Sequence, residues 1–500
     1  MKFRLSLLTV SGAAVLSIST ATAQNFEDAL RYSALTTGTT ARSMAIGGAA
    51  GSLGADYSAS AVNPAGLGVY RQSELTITPY LNFNGTASKY IDNNNTTDNN
   101  TAFKLGNIGL VSTNNLKGRS GWKSVTFALG FNKLADFNTH STYQGVNSQS
   151  SFSEVMAQEA QMYGTSEADG PMGFLGYEGY LLTDDLGSVP YRNVIAQGGS
   201  LKQTKYNESR GAVNEYNLSL AGNYDDKFMI GATLGITSYR FRRKTEFVEA
   251  DNSGNTNNDF DYFSLIENLQ TNGVGINGKF GFIYAPVQSF RVGLSVHTPT
   301  FGSYTDYVDY DLVSEVEGKG RYNIIPQNLY QSDYSITTPM RAIVSATGFF
   351  SNKGFITADV EYVPYNTMRI RYEGNGVSEL ERVQNDYIKS NFRSAVNARV
   401  GAEVRATKDL SLRAGAGYYA NAYKEGSNDL GGDRLDLSLG LGYKLGANTS
   451  LDLTYLRSDQ TYKDSPYRFT DPDPSNPVTF YDASIRNTRN MVALTLGVRF

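Results

Sequence analysis

The chain has 500 residues, a formal net charge of −4, two histidines and no cysteine. Without cysteine it can form neither a disulfide framework nor a thiolate metal site, and two histidines disfavour a site built from several imidazoles. The slight acidity argues against a nucleic-acid partner. Fifty glycines, 34 tyrosines and 25 phenylalanines, with a mean hydropathy of −0.35, fit either a large soluble β protein or a membrane β-barrel, in which only alternate residues face lipid.

The N-terminus has the pattern of a secretory signal peptide. Lys2 and Arg4 precede a mostly apolar run over 5–18, and the small residues at 21–23 form an Ala-x-Ala cleavage site. We therefore expect cleavage after Ala23. A membrane anchor is the alternative, but the run is short for a bilayer-spanning helix.

Residues 24–72 lack strand alternation and are rich in small side chains. The run 44–51 is almost entirely Gly and Ala, and Asn63-Pro64 is a turn-forming pair. Pro64 fixes its own φ and has no N–H, and Gly and Ala let a backbone pack closely against its surroundings. This composition favours a compact plug in the mouth of a barrel.

The remainder of the chain, 73–500, alternates over long runs. In 435–445 every odd position is Leu or Tyr, whereas the even positions are Asp, Ser, Gly, Gly and Lys. A soluble sandwich also alternates. These runs, however, often exceed ten residues, where soluble strands have about five or six. Short turns also alternate with long polar loops, as in outer-membrane barrels.

The alternation predicts fourteen strands, an even number that places both ends of the barrel on the periplasmic side. They are 74–86, 103–113, 122–137, 211–224, 227–243, 272–285, 289–312, 333–350, 354–372, 391–406, 409–423, 432–445, 449–462 and 485–500. Whether 289–316 is one strand or two stays open. We predict an all-β fold, a 14-stranded antiparallel transmembrane β-barrel, whose last strand pairs with the first near Glu74 and so leaves no sheet edge in lipid.

The loops differ in character. Residues 92–101 and 251–261 are nearly all polar and are predicted to be solvated extracellular loops. A faint calcium-loop pattern in 251–259 lacks the required Gly and Glu. In the long loop 138–210, the spacing over 151–163 is helical. An apolar cluster follows, which is either a cap packed on neighbouring loops or an entry site for an apolar solute: Met172, Phe174, Leu175, Tyr177, Tyr180, Leu181 and Leu182.

The segment before the first strand resembles the hatch of the FadL/TodX family, outer-membrane transporters of long-chain fatty acids and other hydrophobic compounds. The resemblance rests on the small run 47–51, on Asp56-Tyr57-Ser58, and on Asn63-Pro64-Ala65 followed by Gly66. Tyr57 stands where the family usually has Ala. The resemblance implies a fourteen-stranded barrel plugged by its hatch, with domains 1–23 (signal peptide), 24–72 (hatch) and 73–500 (barrel).

The resemblance also implies a mechanism. An apolar solute is captured at extracellular loops and enters a pocket inside the barrel. It leaves sideways into the membrane when the hatch moves, without a cofactor. The family's wall opening lies at an inward kink of the third strand, here 122–137, which makes Gly130 and Asn132 the candidates. The candidates for hatch and gating residues are Asp56, Ser58, Asn63, Pro64, Ala65 and Gly66. The terminal Phe500 resembles the signal read by the barrel-assembly machinery.

Eight charged residues are predicted to face the lumen by alternation: Lys279, Arg291, Asp359, Glu361, Arg399, Glu403, Arg413 and Arg499. One interpretation is that they hydrogen-bond the hatch and one another. The other is that some of the arginines bind an anionic headgroup.

Three classes of function compete. The first is a passive transporter with outer-membrane lipid, lipopolysaccharide and a hydrophobic small molecule as its partners. The second is an accessory barrel of a secretion system, which would bind an extracellular or periplasmic protein through its loops. The third, an outer-membrane hydrolase, is disfavoured because only His140 and His297 are present and neither lies in a recognisable motif.

Overall fold

The computed structural model describes residues 25–36, 38–91, 94–117, 121–168, 170–183, 191–195, 199–255, 260–374, 376–426, 431–469 and 480–500. The predicted signal peptide lies outside the described residues. No helix in the described part of the chain is both long enough and apolar enough to cross a bilayer.

In the described residues, six α-helices lie among the strands, and short 3-10 helices span Pro64–Val69 and Tyr365–Thr367. The α-helices are α1 Asn25–Ser33, α2 Ala41–Ala45, α3 Ala59–Val62, α4 Ser153–Tyr163, α5 Pro171–Glu178 and α6 Ser378–Asn391. The helix predicted over 151–163 is confirmed by α4, whereas α6 was not predicted.

The strands are β1 Glu74–Tyr90, β2 Asn94–Asn115, β3 Trp122–Asp136, β4 Thr139–Asn147, β5 Leu182–Thr183, β6 Arg192–Asn193, β7 Leu201–Tyr224, β8 Phe228–Asp251, β9 Tyr262–Val287, β10 Phe290–His297, β11 Phe301–Val316, β12 Gly320–Ile324, β13 Tyr330–Thr337, β14 Arg341–Phe349, β15 Gly354–Pro364, β16 Arg369–Tyr372, β17 Ser394–Arg405, β18 Leu410–Tyr419, β19 Arg434–Lys444, β20 Thr449–Asp464 and β21 Ala483–Arg499. All but β5 and β6 belong to one sheet.

This sheet closes into a barrel of fourteen antiparallel wall strands. Four wall strands consist of two elements each, namely β3–β4, β10–β11, β13–β14 and β15–β16. In the first two pairs both elements pair with the same neighbour, β7 or β9. The last strand pairs with the first, with Arg499 opposite Glu74. The predicted strand number and closure are confirmed.

Prolines explain three of the interruptions. Pro299 separates β10 from β11, Pro339 separates β13 from β14, and Pro364 ends β15. Proline cannot donate to a strand ladder, so pairing stops there. The segment 289–316 is therefore one wall strand with a break.

The alternating faces turn apolar side chains to lipid and polar ones inward. Leu437, Leu439 and Leu441 are 46–62% exposed on the outer face, whereas the adjacent Asp436 and Ser438 on the inner face are buried. The tight turn at Asp225-Asp226, with both φ angles near +54°, is one of the short connections on the side of the chain termini. The opposite end, with the long loops, is extracellular.

The prediction of a loop over 92–101 is wrong from Asn94 onward. Residues 94–101 are the first part of β2 and pair with residues 83–90 of β1. Strands β7, β8 and β9 likewise extend about ten residues beyond their predicted extracellular ends. Apolar alternation marks only the part of a strand that touches lipid, so the polar extensions above the membrane gave no strand signal.

Candidate functional site

Residues 25–72, called the hatch below, pack on the inner face of the barrel wall. Its backbone is tied to inward-facing side chains all around the barrel. Ala41 N–H donates to Thr495 Oγ1 (2.7 Å), Gly47 N–H to Ser438 Oγ (3.2 Å) and Gly51 N–H to the Asp359 carboxylate (3.1 Å), and Ser52 and Thr347 share a hydroxyl hydrogen bond (2.8 Å).

The Asn-Pro-Ala motif closes one turn of the hatch and fastens it to β9. Asn63 Oδ1 accepts from Ala65 N–H (3.1 Å), and its Nδ2 donates to Gly51 O (2.6 Å). The wall residue that faces the motif is Gly281, which has no side chain. A Cβ added to Gly281 would lie 1.9 Å from Asn63 Oδ1. The motif thus needs a glycine in the facing strand, and the hatch backbone approaches the wall as closely as two chains can.

The Asp-Tyr-Ser element lies nearby. Asp56 Oδ1 accepts from Thr40 Oγ1 (2.8 Å) and from Ser58 N–H (2.9 Å). Tyr57 is fully buried, and its hydroxyl donates to Asn217 (2.9 Å). A Cβ added to Gly109 or Gly130 would come within 2.4 Å of the Tyr57 side chain. The two wall glycines therefore make the room that Tyr57 needs where the family usually has Ala.

Six of the eight predicted lumen charges hydrogen-bond the hatch or one another, whereas Lys279 and Arg499 pair with other carboxylates of the wall. Arg399 bridges Glu361 (2.9 Å) and Asp359 (3.6 Å) at zero exposure. Arg291 donates to Leu53 O of the hatch (2.6 Å), and Arg413 pairs with Glu403 (2.7 Å). Lys279 pairs with Glu215, and Arg499 pairs with Glu74 (3.1 Å). Four of these five cations therefore have a carboxylate partner, and Arg291 donates to a backbone carbonyl of the hatch.

A cavity of about 700 Å³ lies between α1 and the extracellular halves of the strands. Eight aromatic side chains line it, namely Phe137, Phe152, Phe241, Phe247, Tyr310, Tyr423, Tyr462 and Tyr467. Three of its cationic side chains carry a carboxylate partner: Arg31 with Asp28, Lys205 with Asp464 (2.8 Å) and Arg243 with Glu267 (2.7 Å). Aromatic rings and paired charges therefore share the lining, which suits an occupant with an apolar body and a polar end.

The apolar cluster of the long loop divides into two parts. Met172, Leu175, Leu181 and Leu182 are buried in the large hydrophobic cluster at the extracellular end of the barrel, and Phe174 is half-buried. Tyr177 and Tyr180 are 37% and 40% exposed on the extracellular side. Met172 also lines the cavity. The buried part acts as the cap of the first interpretation, and the exposed tyrosines form its outer surface.

The start of α4 is held to the barrel by a buried carboxylate above the membrane. Glu249 of β8 accepts hydrogen bonds from Ser151 Oγ (2.5 Å), Phe152 N–H (3.1 Å) and Gln203 Nε2 (2.5 Å). It is fully buried, and this burial raises the pKa of Glu249 to about 7. The anchoring of the loop is therefore linked to pH.

The barrel wall separates between β2 and β3. Their ladder runs from Asn115–Ser124 to Asn107–Asn132 and ends there. Gly130 is still paired with Gly109 inside this ladder, so the separation begins at Asn132. Beyond that point β2 remains paired with β1, and β3 and β4 remain paired with β7.

Strand β4 turns inward at this separation. Its start lies across the inner side of β1, where Asn84 Nδ2 donates to Asn138 O and Thr86 Oγ1 donates to His140 O (2.6 Å). A smaller cavity of about 50 Å³ touches both edges of the break through Gly106, Lys133 and Ala135. Asp136 lines this cavity and the large one. The interior therefore adjoins the break.

The two histidines do not meet in a catalytic arrangement. His140 lies 3.5 Å from Glu208, and His297 Nε2 lies 2.9 Å from Val62 O of the hatch. Within the described ranges, no group of His, Asp and Glu is arranged to hold a metal ion.

Comparison with known proteins identifies the fold family. The family described as outer membrane protein transport protein (OMPP1/FadL/TodX) matches residues 202–500. The chain belongs to this family. The FadL/TodX proteins are outer-membrane transport proteins for hydrophobic compounds, and the chain is accordingly a multi-pass barrel of a Gram-negative outer membrane.

Solved structures share the fold at low sequence identity. A Pseudomonas aeruginosa FadL homologue is 14% identical with a TM-score of 0.55 and covers 93% of this chain and 99% of its own. The P. putida toluene transporter TodX is 11% identical with a TM-score of 0.53 and covers 93% of this chain and 99% of its own. The Ralstonia pickettii toluene transporter TbuX is 16% identical with a TM-score of 0.52 and covers 92% of this chain and 98% of its own. No curated protein sequence matches.

Several residues of the site were not anticipated from the sequence. Arg341, which joins the hatch at Ser33 O to Glu361, lies just after the Pro339 break and outside a clear alternation. Glu249 lies in the polar extension of β8. Glu361 was predicted to face inward. Because a buried carboxylate requires a cationic partner, its position could have prompted a search for a residue such as Arg341.

Proposed function

We propose that this protein is a passive transporter that carries hydrophobic compounds, such as long-chain fatty acids, from the cell exterior into the outer membrane. The observation that carries the proposal is a cavity of about 700 Å³ with eight aromatic rings in its lining, which shares Asp136 with the smaller cavity at the break in the barrel wall. Burial of apolar surface at about 25 cal/mol per Å² supplies the affinity, so no energy source is required.

Capture begins at the long loop. The exposed rings of Tyr177 and Tyr180 offer an apolar surface, and the buried residues beneath them lead to Met172 at the cavity. A solute that passes between α4 and α5 would reach the rings of Phe152 and Phe247. The loop then serves both as a cap and as an entry.

Release is sideways. The hatch blocks the barrel axis, and its ties to Asp359 and Arg291 keep it in place. A shift of the hatch at Gly38 and Met44, which line the smaller cavity, would enlarge the space behind the break. The solute then leaves between β2 and β3 above Asn132 into the membrane. In this scheme Asp56, Ser58 and Asn63 to Gly66 set the resting position of the hatch.

The structural neighbours TodX and TbuX are toluene transporters by name, which fits an aromatic-lined cavity. The accessory-barrel alternative requires no such cavity. The transport reading is therefore the one that the geometry supports best, and the test uses labelled oleate and labelled toluene as probes.

The test blocks the large cavity with a bulky side chain. Ala34 of the hatch lines it with an exposed side chain, and Ala34→Trp places an indole ring inside. Uptake of at least one probe by whole cells should fall about tenfold, because the bulky ring removes the space the solute occupies. The matched control is Ala232→Trp on the outer side of β8, which should leave uptake unchanged. Equal uptake by both variants and the wild type would count against the proposal.

A further inference from the structure

The outer face of β7 and β8 carries a cationic group just above its lipid-facing belt. On β8 the outward side chains are apolar from Phe228 to Ile236, with exposures of 39–52% for the large ones. Ser238 follows, and the next three outward positions are Arg240, Arg242 and Lys244, all exposed. We call these three residues the β8 cationic patch.

The strand register places one carboxylate, Glu208 of β7, directly opposite Lys244, but no ion pair joins the patch to the described part of the protein. Among the described residues, none of the three is within ion-pair distance of a carboxylate. The nearby Glu208 pairs with Arg210, and Glu246 accepts from Ser264 (3.0 Å). Outward cations elsewhere behave differently, since Arg457 and Arg486 share Asp459 at 2.7 and 3.2 Å.

The strand register brings a fourth cation to the patch. Arg210 of β7 lies directly opposite Arg242. Like charges in directly opposed positions destabilise a sheet. An arrangement of this kind on an exposed wall is stabilised when an anion with several oxygen atoms lies against it.

The position of the patch relative to the membrane indicates which anion it can bind. The belt from Phe228 to Ile236 spans eight residue steps, which correspond to about 27 Å along a strand and roughly 21 Å along the barrel axis at a typical tilt. Arg240 lies four residues farther, about 10 Å higher. Long cationic side chains reach from there to the membrane interface. This is the extracellular side, where the headgroups of the outer leaflet lie.

We propose that the β8 cationic patch binds the phosphate groups of a lipopolysaccharide molecule. Its acyl chains would lie on the exposed apolar side chains below, such as Ile236 and Val274, which are 52% and 63% exposed. Arginine forms bidentate hydrogen bonds with phosphate oxygens. The bound lipid would lie on the β8 side of β7, whose other edge holds β3 beside the wall break. The proposal depends on the outer-membrane location and is independent of the transported solute.

The experiment uses the full-length mature protein in neutral detergent and fluorescent lipid A with two phosphates. The triple variant Arg240→Gln/Arg242→Gln/Lys244→Gln should raise the dissociation constant at least tenfold. The control Arg457→Gln/Arg486→Gln should change it less than twofold, because both guanidinium groups already pair with Asp459. Heat-modifiable gel mobility verifies that both barrels are folded.

Two further probes separate phosphate recognition from general lipid adsorption. Dephosphorylated lipid A should bind weakly and equally to the wild type and the triple variant. Phosphatidylglycerol should bind the wild type at least fivefold more weakly than lipid A. The proposal is overturned if the triple variant binds lipid A within twofold of the wild type, if removing the phosphates leaves affinity unchanged, or if phosphatidylglycerol binds as tightly.

Discussion

A disulfide between the hatch and the wall should stop transport reversibly. Ser52 of the hatch and Thr347 of β14 share a 2.8 Å hydroxyl contact, and both are buried. The double variant Ser52→Cys/Thr347→Cys places two thiols there in a chain that has no other cysteine. Oxidation then fixes the hatch to the wall.

The expected size of the effect follows from the contacts that hold this stretch. Asp359 accepts from Gly51 N–H and Arg291 donates to Leu53 O, and such charge-assisted hydrogen bonds contribute about 1.5–3 kcal/mol each. With the neutral Ser52–Thr347 bond, roughly 4–7 kcal/mol hold the hatch in place. The displaced hatch is then populated at about 10⁻³ to 10⁻⁵. A disulfide removes that population, so uptake of labelled oleate should fall at least tenfold.

The assay compares uptake before and after reduction with dithiothreitol, with bridging followed by thiol alkylation and mass spectrometry. The matched control is Ser219→Cys/Thr233→Cys, whose parent hydroxyls are 2.7 Å apart but both belong to the wall. Its uptake should not depend on oxidation. If the fully bridged hatch variant transports oleate at the wild-type rate, the hatch does not move and the reasoning is refuted.

Three other perturbations test separate contacts. Gly109→Ala should destabilise the barrel by about 1–3 kcal/mol through overpacking, because its Cβ would lie 2.3 Å from the Tyr57 ring. The cost should largely vanish in a Tyr57→Ala background, as urea unfolding followed by Trp122 fluorescence can show. Arg291→Gln removes one charge-assisted bond to the hatch and should raise the leak of a small polar antibiotic roughly tenfold or more, whereas an unchanged leak contradicts that role. Raising the pH from about 4.5 to 7 should weaken the docking of α4, since the pKa of Glu249 is raised to about 7 and the folded form holds its proton more tightly. Limited proteolysis of the loop should show this in the wild type but not in Glu249→Gln, and pH-independent cleavage of the wild type would contradict it.

The lipid-facing parts of the fold could be predicted because lipid is a uniform apolar solvent. It requires an apolar side chain at every outward position, as at 435–445, so the pattern is local and visible in the sequence. The same reasoning fails above the membrane, where backbone pairing with β1 and hydrogen bonds that join Thr96 and Asp98 to Thr142 of β4 maintain residues 94–101. There the outward side chains face water and are free to be polar.

The candidate site was predicted only in part, because its contacts join distant residues. The hatch motif was visible, and the inward charges could be assigned by alternation. The partner of each charge could not be assigned. Arg341 meets Ser33, for example, only because the hatch passes that point inside the barrel. The need of Tyr57 for glycines at 109 and 130 likewise depends on which strand it packs against. The large cavity is assembled from eight strands and the helices α1, α4 and α5, a combination that no local pattern encodes.

The most direct test of the central claim is anomalous diffraction from crystals grown with a long-chain fatty acid brominated at its tail. If apolar solutes cross through the interior, bromine peaks should lie in the large cavity near Phe137 and Phe241 and beside Gly106 and Ala135 at the wall break. Bromine found only on the lipid-facing belt, with none inside the barrel, would contradict the account.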